Sequence, residues 1–104
     1  MERVANLKQI LEQNPTDAFA RYGLAMEYSR AGEIDAALSE FRALLEANPE
    51  YVPAYQMAGQ MLAAAERPEE ACQYLQQGVA AAQRAGNLHA KSEMQALLDE
   101  LSRG

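Results

Sequence analysis

The stretch Leu7-Lys-Gln-Ile-Leu-Glu-Gln-Asn-Pro15 is matched 34 residues later by Phe41-Arg-Ala-Leu-Leu-Glu-Ala-Asn-Pro49. Both stretches place bulky apolar residues at helical spacing and end in Glu-x-Asn-Pro. A fixed period of this length indicates a helical repeat, in which each unit buries its apolar face on its neighbours. The match therefore predicts a stack of helical hairpins, and it makes residues 1–15 the second half of a truncated repeat.

Proline and glycine divide the chain into segments of helical length. Because the residue before a proline is disfavoured in the α region, helices should end near Asn14 and Asn48. Asp17 can then cap the next helix, and Gly32 suits the left-handed position of a tight helix reversal. The sequence predicts six helices, at about 2–13, 17–31, 34–47, 52–65, 68–85 and 88–102.

Length and charge limit the classes of partner. A chain of 104 residues fits one domain, and its formal net charge of −6 opposes binding to nucleic acid or to an anionic membrane. The single Cys72 cannot form an intramolecular disulfide, and no apolar run has the length of a signal peptide or a membrane span. These features predict a cytoplasmic protein.

The sequence contains no motif that carries catalysis. It has no phosphate-binding glycine loop, no Cys-x-x-Cys pair and no His-Glu-x-x-His helix. Cys72 and His89 fall on different predicted helices, and we interpret them as a small core thiol and a surface imidazole. We therefore expect no catalytic residue, no metal ligand and no cofactor, and we do not expect an enzyme.

The second predicted helix carries two apolar stripes. Leu24 and Tyr28, together with the alanine between them, belong to the first stripe, which is expected to pack inside the hairpin. Phe19, Tyr22 and Met26 form the second, at i, i+3 and i+7. This second stripe either faces outward or packs against the N-terminal helix, and the spacing alone does not choose between the two.

These residues resemble the tetratricopeptide repeat family, whose unit is a helix-turn-helix with small and bulky residues at set positions. The resemblance covers nearly the whole chain. It implies an all-α, right-handed solenoid of antiparallel helical hairpins in a single domain. The matching residues of the first full repeat are Leu24, Ala25, Tyr28, Gly32, Ala37, Phe41 and Pro49. The implied parts are a truncated repeat (1–15), two repeats (16–49 and 50–85) and a C-terminal capping helix (86–104).

The second full repeat departs from the family pattern at three positions. Glu66 stands where a glycine would serve the turn, Gly78 where alanine is usual, and Gln83 where the closing proline should be. Without that proline, the fifth helix can continue to about Ala85. The last helix then leaves the repeat phase.

In this family the second stripe lines a concave face that binds extended or helical peptides. The resemblance therefore implies a protein-binding adaptor. No lysine lies in either full hairpin, which disfavours a clamp for a C-terminal carboxylate and leaves a partner with an apolar or amphipathic segment. The implied groove residues are Phe19, Tyr22, Met26, Ser29 and Arg30 in the first repeat and Gln56 and Gln60 in the second.

Self-association is the alternative function. A stack of two and a half hairpins is close to the minimum for stability, so an end helix with uncovered apolar surface can pair with another copy. The candidate surface on the last helix consists of Ala90, Met94, Leu97, Leu98 and Leu101.

Overall fold

The computed structural model describes residues 2–103, and the regular structure in that range is entirely helical. The predicted all-α fold is confirmed, and each helix begins and ends within one residue of its predicted boundary. The six helices are α1 (Glu2–Gln13), α2 (Ala18–Arg30), α3 (Ile34–Ala47), α4 (Val52–Ala64), α5 (Pro68–Ala85) and α6 (Leu88–Arg103).

The helices form two compact units, of which one ends at Asn48 and the other begins at Pro49. In the first unit α2 packs on both α1 and α3, and in the second α5 packs on both α4 and α6. Each unit is therefore one hairpin with one flanking helix. The assignment of a single domain with the repeat boundaries given above stays a prediction.

Three helices end in the same kind of hydrogen-bonded turn. After α2, the backbone N–H of Glu33 donates to the carbonyl of Tyr28 at 2.9 Å, and Gly32 between them has a φ of 78°. The turns after α4 and α5 repeat this arrangement, with Glu66 at φ 59° and Gly86 at φ 71°. Glu66 thus holds a left-handed conformation that is sterically unfavourable for a residue with a side chain.

In the first unit, α1 packs against one apolar face of α2. Val4, Leu7 and Leu11 of α1 form a buried cluster with Ala20 and Leu24 of α2, and the partly buried Tyr28 packs against it. The sequence predicts that the first stripe packs inside the α2–α3 hairpin. The structure corrects this for its two large residues, Leu24 and Tyr28, which pack against α1. The physical reason is helical geometry: positions 20, 24 and 28 repeat every four residues and so share one face.

In the second unit, glycines allow the helices to approach closely. A Cβ atom added to Gly59 would lie 2.5 Å from Cδ2 of Leu75. One added to Gly78 would lie 2.5 Å from Sδ of Met94 and 2.6 Å from Cβ of Tyr55. Gly78 therefore replaces the usual alanine because α6 and α4 both occupy the space that its side chain would need.

The missing proline has the consequence that the sequence predicts. Helix α5 continues to Ala85 and has 18 residues, whereas α3 has 14. The additional turn brings Arg84 to Glu50, and the two make a paired contact with Nε–Oε1 and Nη2–Oε2 distances of 2.7 and 2.8 Å.

The hydrogen bond from Arg84 lowers the pKa of the Glu50 carboxyl. Their interaction is therefore present at neutral pH and is lost as the pH falls through that lowered pKa.

Replacing Glu66 by glycine is expected to raise the free energy of unfolding by about 0.5–1 kcal/mol, because glycine adopts a positive φ without steric cost. Gly32→Ala is the matched control, since a Cβ atom there would meet nothing within 4 Å and the penalty is conformational alone. It should lower stability by about 1 kcal/mol. Urea unfolding measures both variants, and a less stable Glu66→Gly protein would contradict the assignment of strain.

Gly78→Ala is expected to lower the free energy of unfolding by about 1–3 kcal/mol, because the added methyl group overpacks the contact between α4, α5 and α6. Gly23→Ala in α2 provides the control, since its Cβ atom would lie 3.5 Å from the methyl groups of Leu7, an ordinary contact. That variant should be as stable as the parent or more stable, owing to the better helix propensity of alanine. Equal stability of Gly78→Ala and the parent would show that the helices are not in close contact there.

Candidate functional site

Phe19 projects from the first turn of α2 with 77% of its surface exposed. It takes no part in the buried cluster that α1 forms with Ala20 and Leu24. The structure therefore places Phe19 on the outer surface, not beneath the N-terminal helix. An exposed aromatic side chain of this size is a typical anchor for a binding partner.

Tyr22, one turn further along α2, lies partly inside and partly outside. Its ring contacts that of Phe41 edge-on, with the ring centroids 6.4 Å apart and an angle of 66° between the planes. Phe41 is fully buried in α3, whereas Tyr22 is half-buried. The contact fixes the rotation of Tyr22 and leaves part of the ring at the surface beside Phe19.

Beyond Tyr22, the predicted stripe becomes polar towards the end of α2. Met26 and Ser29 are half-buried and Arg30 is exposed. Arg30 pairs with Glu27, at 2.9 Å from Nη2 to Oε2. The first unit thus brings all five of its predicted site residues onto one helix, in an order that runs from aromatic to cationic.

In the second unit, the predicted residues are the amides of α4. Gln56 is half-buried and donates from Nε2 to Oε1 of Glu93 at 3.0 Å, whereas Gln60 is exposed. Nε2 of His89 lies 3.5 Å from the same carboxylate oxygen. Glu93 and His89 could not be predicted as neighbours of Gln56, since α6 is out of phase with the repeat and its rotation does not follow from the 34-residue spacing.

The remaining reactive side chains are dispersed in the described part of the chain. Cys72 is half-buried on α5, not fully in the core as predicted, and His89 is at the surface near the start of α6. Across residues 2–103, no three His, Cys, Asp or Glu side chains are grouped so that they could hold a metal ion. In the same range no helix is both long and apolar enough to cross a membrane.

The surface predicted for self-association is largely covered. Met94 is 1% exposed and Ala90 6% exposed, so these two residues belong to the interior of the second unit. The prediction that they face another copy is wrong, because Met94 fills the space above Gly78. Leu97, Leu98 and Leu101 are half-buried.

Antiparallel helical hairpins with a 34-residue period define the chain as a helical-repeat protein. Residues 4–62 match a model of the tetratricopeptide repeat, and residues 52–84 match a second model of the same repeat. The chain belongs to the tetratricopeptide repeat (TPR) family. Its fold is the all-α solenoid fold of that family.

Three relatives illustrate the similarity. The chain is 29% identical over 100 residues to a TPR repeat-containing protein of Pseudomonas aeruginosa, a match that covers 96% of this chain and 95% of that protein. The solution structure of a Bordetella parapertussis protein has a TM-score of 0.81 and 31% identity, covering 96% of this chain and 87% of its own. YrrB, described as a TPR protein with an unusual peptide-binding site, has a TM-score of 0.72 and 31% identity, covering 86% of this chain and 46% of its own. Membership of this family makes the chain a protein-interaction module in general terms.

The two aromatic residues of the stripe should respond differently to truncation. Tyr22→Ala is expected to lower the free energy of unfolding by about 1–3 kcal/mol, because it removes the ring contact with Phe41 and part of the core. Phe19→Ala is expected to change it by less than about 0.5 kcal/mol, as for other exposed positions. Urea unfolding of both variants tests this, and equal losses would show that Phe19 is also part of the core.

Proposed function

We propose that this chain is an adaptor that binds a peptide or helical segment of another protein along the second stripe of α2, which consists of Phe19, Tyr22 and Met26. The exposure of Phe19 is the observation that supports this most directly. Helix α1 covers the opposite apolar face of α2 and α3 contacts Tyr22, yet Phe19 stays largely in solvent. Burying an exposed phenylalanine against a partner contributes roughly 25 cal/mol for each Å² of apolar surface removed from water.

The stripe favours a segment with an apolar side chain at one end. Phe19, the outer part of Tyr22 and Met26 offer aromatic and thioether surface, which adapts to aliphatic or aromatic partners. The amides of Gln56 and Gln60 on α4 can donate to and accept from the backbone of an extended segment. The proposal keeps these two amides as binding residues of the second unit.

The proposed partner is a protein that carries an apolar or amphipathic segment. Nucleic acid and membrane surfaces are not proposed, since the net charge of −6 opposes both. The proposal includes a cytoplasmic location and no catalytic role. Self-association through Leu97, Leu98 and Leu101 is the competing function.

Affinity capture from the native cytoplasm, followed by mass spectrometry, tests the proposal with three forms of the chain. Phe19→Ala should reduce the recovery of the partner about tenfold or more, as truncation of an anchoring aromatic residue does. Leu88→Ala is the matched control, because Leu88 is likewise exposed, at 67%, but belongs to α6 of the second unit and is not one of the stripe residues. This control should retain the partner.

Equal recovery with Phe19→Ala and the parent would overturn the assignment of the site. Recovery of the chain's own second copy alone, with light scattering that shows a concentration-dependent dimer, would instead assign self-association. Because Phe19→Ala is expected to remain fully folded, a loss of recovery reports on binding and not on unfolding.

A further inference from the structure

Two arginine side chains share one carboxylate oxygen in the first unit. Oε2 of Glu27 lies 2.9 Å from Nη2 of Arg30 and 3.3 Å from Nε of Arg3. Arg30 is on α2, whereas Arg3 reaches the same oxygen from α1. Two guanidinium groups around one carboxylate leave a net charge of +1 in this cluster, which we call the arginine pair.

The arginine pair is open to solvent. The side chains of Arg3 and Arg30 are 63% and 59% exposed, whereas that of Glu27 is 20% exposed. Each guanidinium has five N–H donors, and the contact with Glu27 occupies a small part of them. Among the described residues, Glu27 is the ion-pair partner of both arginines. The geometry therefore suits a second carboxylate, supplied from outside.

We propose that the segment bound by the stripe carries one acidic side chain that binds between Arg3 and Arg30. This inference rests on the proposed function of the same face. Phe19 and Arg30 are 11 positions apart on α2, which corresponds to about 16 Å along a helix. An extended backbone covers this distance in about five residues. The partner is therefore a segment with an apolar side chain and, about five residues away, an aspartate or glutamate.

The overall charge adds a limit on the composition of that segment. A chain with a net charge of −6 repels a run of acidic residues at long range, whereas the arginine pair acts within a Debye length of about 8–10 Å. One acidic residue gains the local attraction without a large long-range penalty. The site accordingly selects a single acidic residue over an acidic run.

A displayed library of randomised peptides, about twelve residues long so that the whole stripe can be spanned, tests the inference on the intact chain. Selection should enrich peptides with one apolar and one acidic residue about five positions apart. Arg3→Gln/Arg30→Gln should still enrich the apolar residue but lose the acidic one. Arg42→Gln is the matched control, because Arg42 is exposed on α3 and lies outside the stripe. It should enrich the same peptides as the parent.

The best selected peptide, amidated at its C-terminus, is then compared with its Glu→Gln or Asp→Asn counterpart by fluorescence anisotropy. The acidic form should bind roughly threefold to tenfold more tightly at low salt, and the difference should shrink at about 1 M salt. Glu27→Gln should increase the preference for the acidic form about threefold, because it removes the carboxylate that competes for both arginines. Circular dichroism confirms that each variant is folded.

The outcomes separate this inference from the proposed function. Apolar enrichment without an acidic residue, or an unchanged acidic preference in Arg3→Gln/Arg30→Gln, overturns the inference and leaves the binding stripe intact. Selection that is insensitive to Phe19→Ala, or that enriches no apolar residue, overturns the proposed function and this inference with it. A weaker acidic preference in Glu27→Gln would also contradict the inference.

Discussion

The packing of α1 against Ala20, Leu24 and Tyr28 is the contact on which the rest of the first unit depends. Helix α2 has two apolar stripes, and one hairpin partner cannot bury both. Because α1 covers the first stripe and α3 holds Tyr22 through Phe41, Phe19 is left on the outside. The same contact brings Arg3 beside Glu27. The exposed aromatic residue and the arginine pair therefore have one structural cause.

In the second unit, the close packing of the three helices depends on glycines and on Met94. Gly59 and Gly78 let α5 lie close to α4 and α6, and Met94 fills the volume that a side chain at position 78 would occupy. Each departure from the repeat pattern has a local consequence: a strained turn at Glu66, a close approach of α4 and α6 at Gly78, and a longer α5 that reaches Glu50. The C-terminal helix thus closes the unit by packing rather than by repeating the preceding sequence.

Much of the fold could be predicted from the sequence because its signals are local. Proline, glycine and the Asn-Pro period define the six helices, and the missing proline at Gln83 predicts the extension of α5. The rotation of α6 could not be predicted, since its stripe was read without the contact between Met94 and Gly78. The neighbours of the site were missed for the same reason: the pairing of Gln56 with Glu93 depends on how side chains from distant segments meet. Helical spacing predicted the stripe of Phe19, Tyr22 and Met26, and family resemblance added Ser29 and Arg30 and the binding role. The structure shows that Phe19 and Arg30 are exposed and that the other three are half-buried.

Helix α1 covers one stripe of α2, and Phe19 of the other stripe is left in solvent. The chain has two phenylalanines, which give one exposed and one buried probe. Phe19 is 77% exposed and Phe41 is fully buried. Incorporation of fluorophenylalanine gives one ¹⁹F signal for each residue, and Phe19→Leu assigns them. We expect the Phe19 signal to shift between H₂O and D₂O at all protein concentrations and the Phe41 signal to stay unchanged. A Phe19 signal as insensitive to the solvent as that of Phe41 would contradict it.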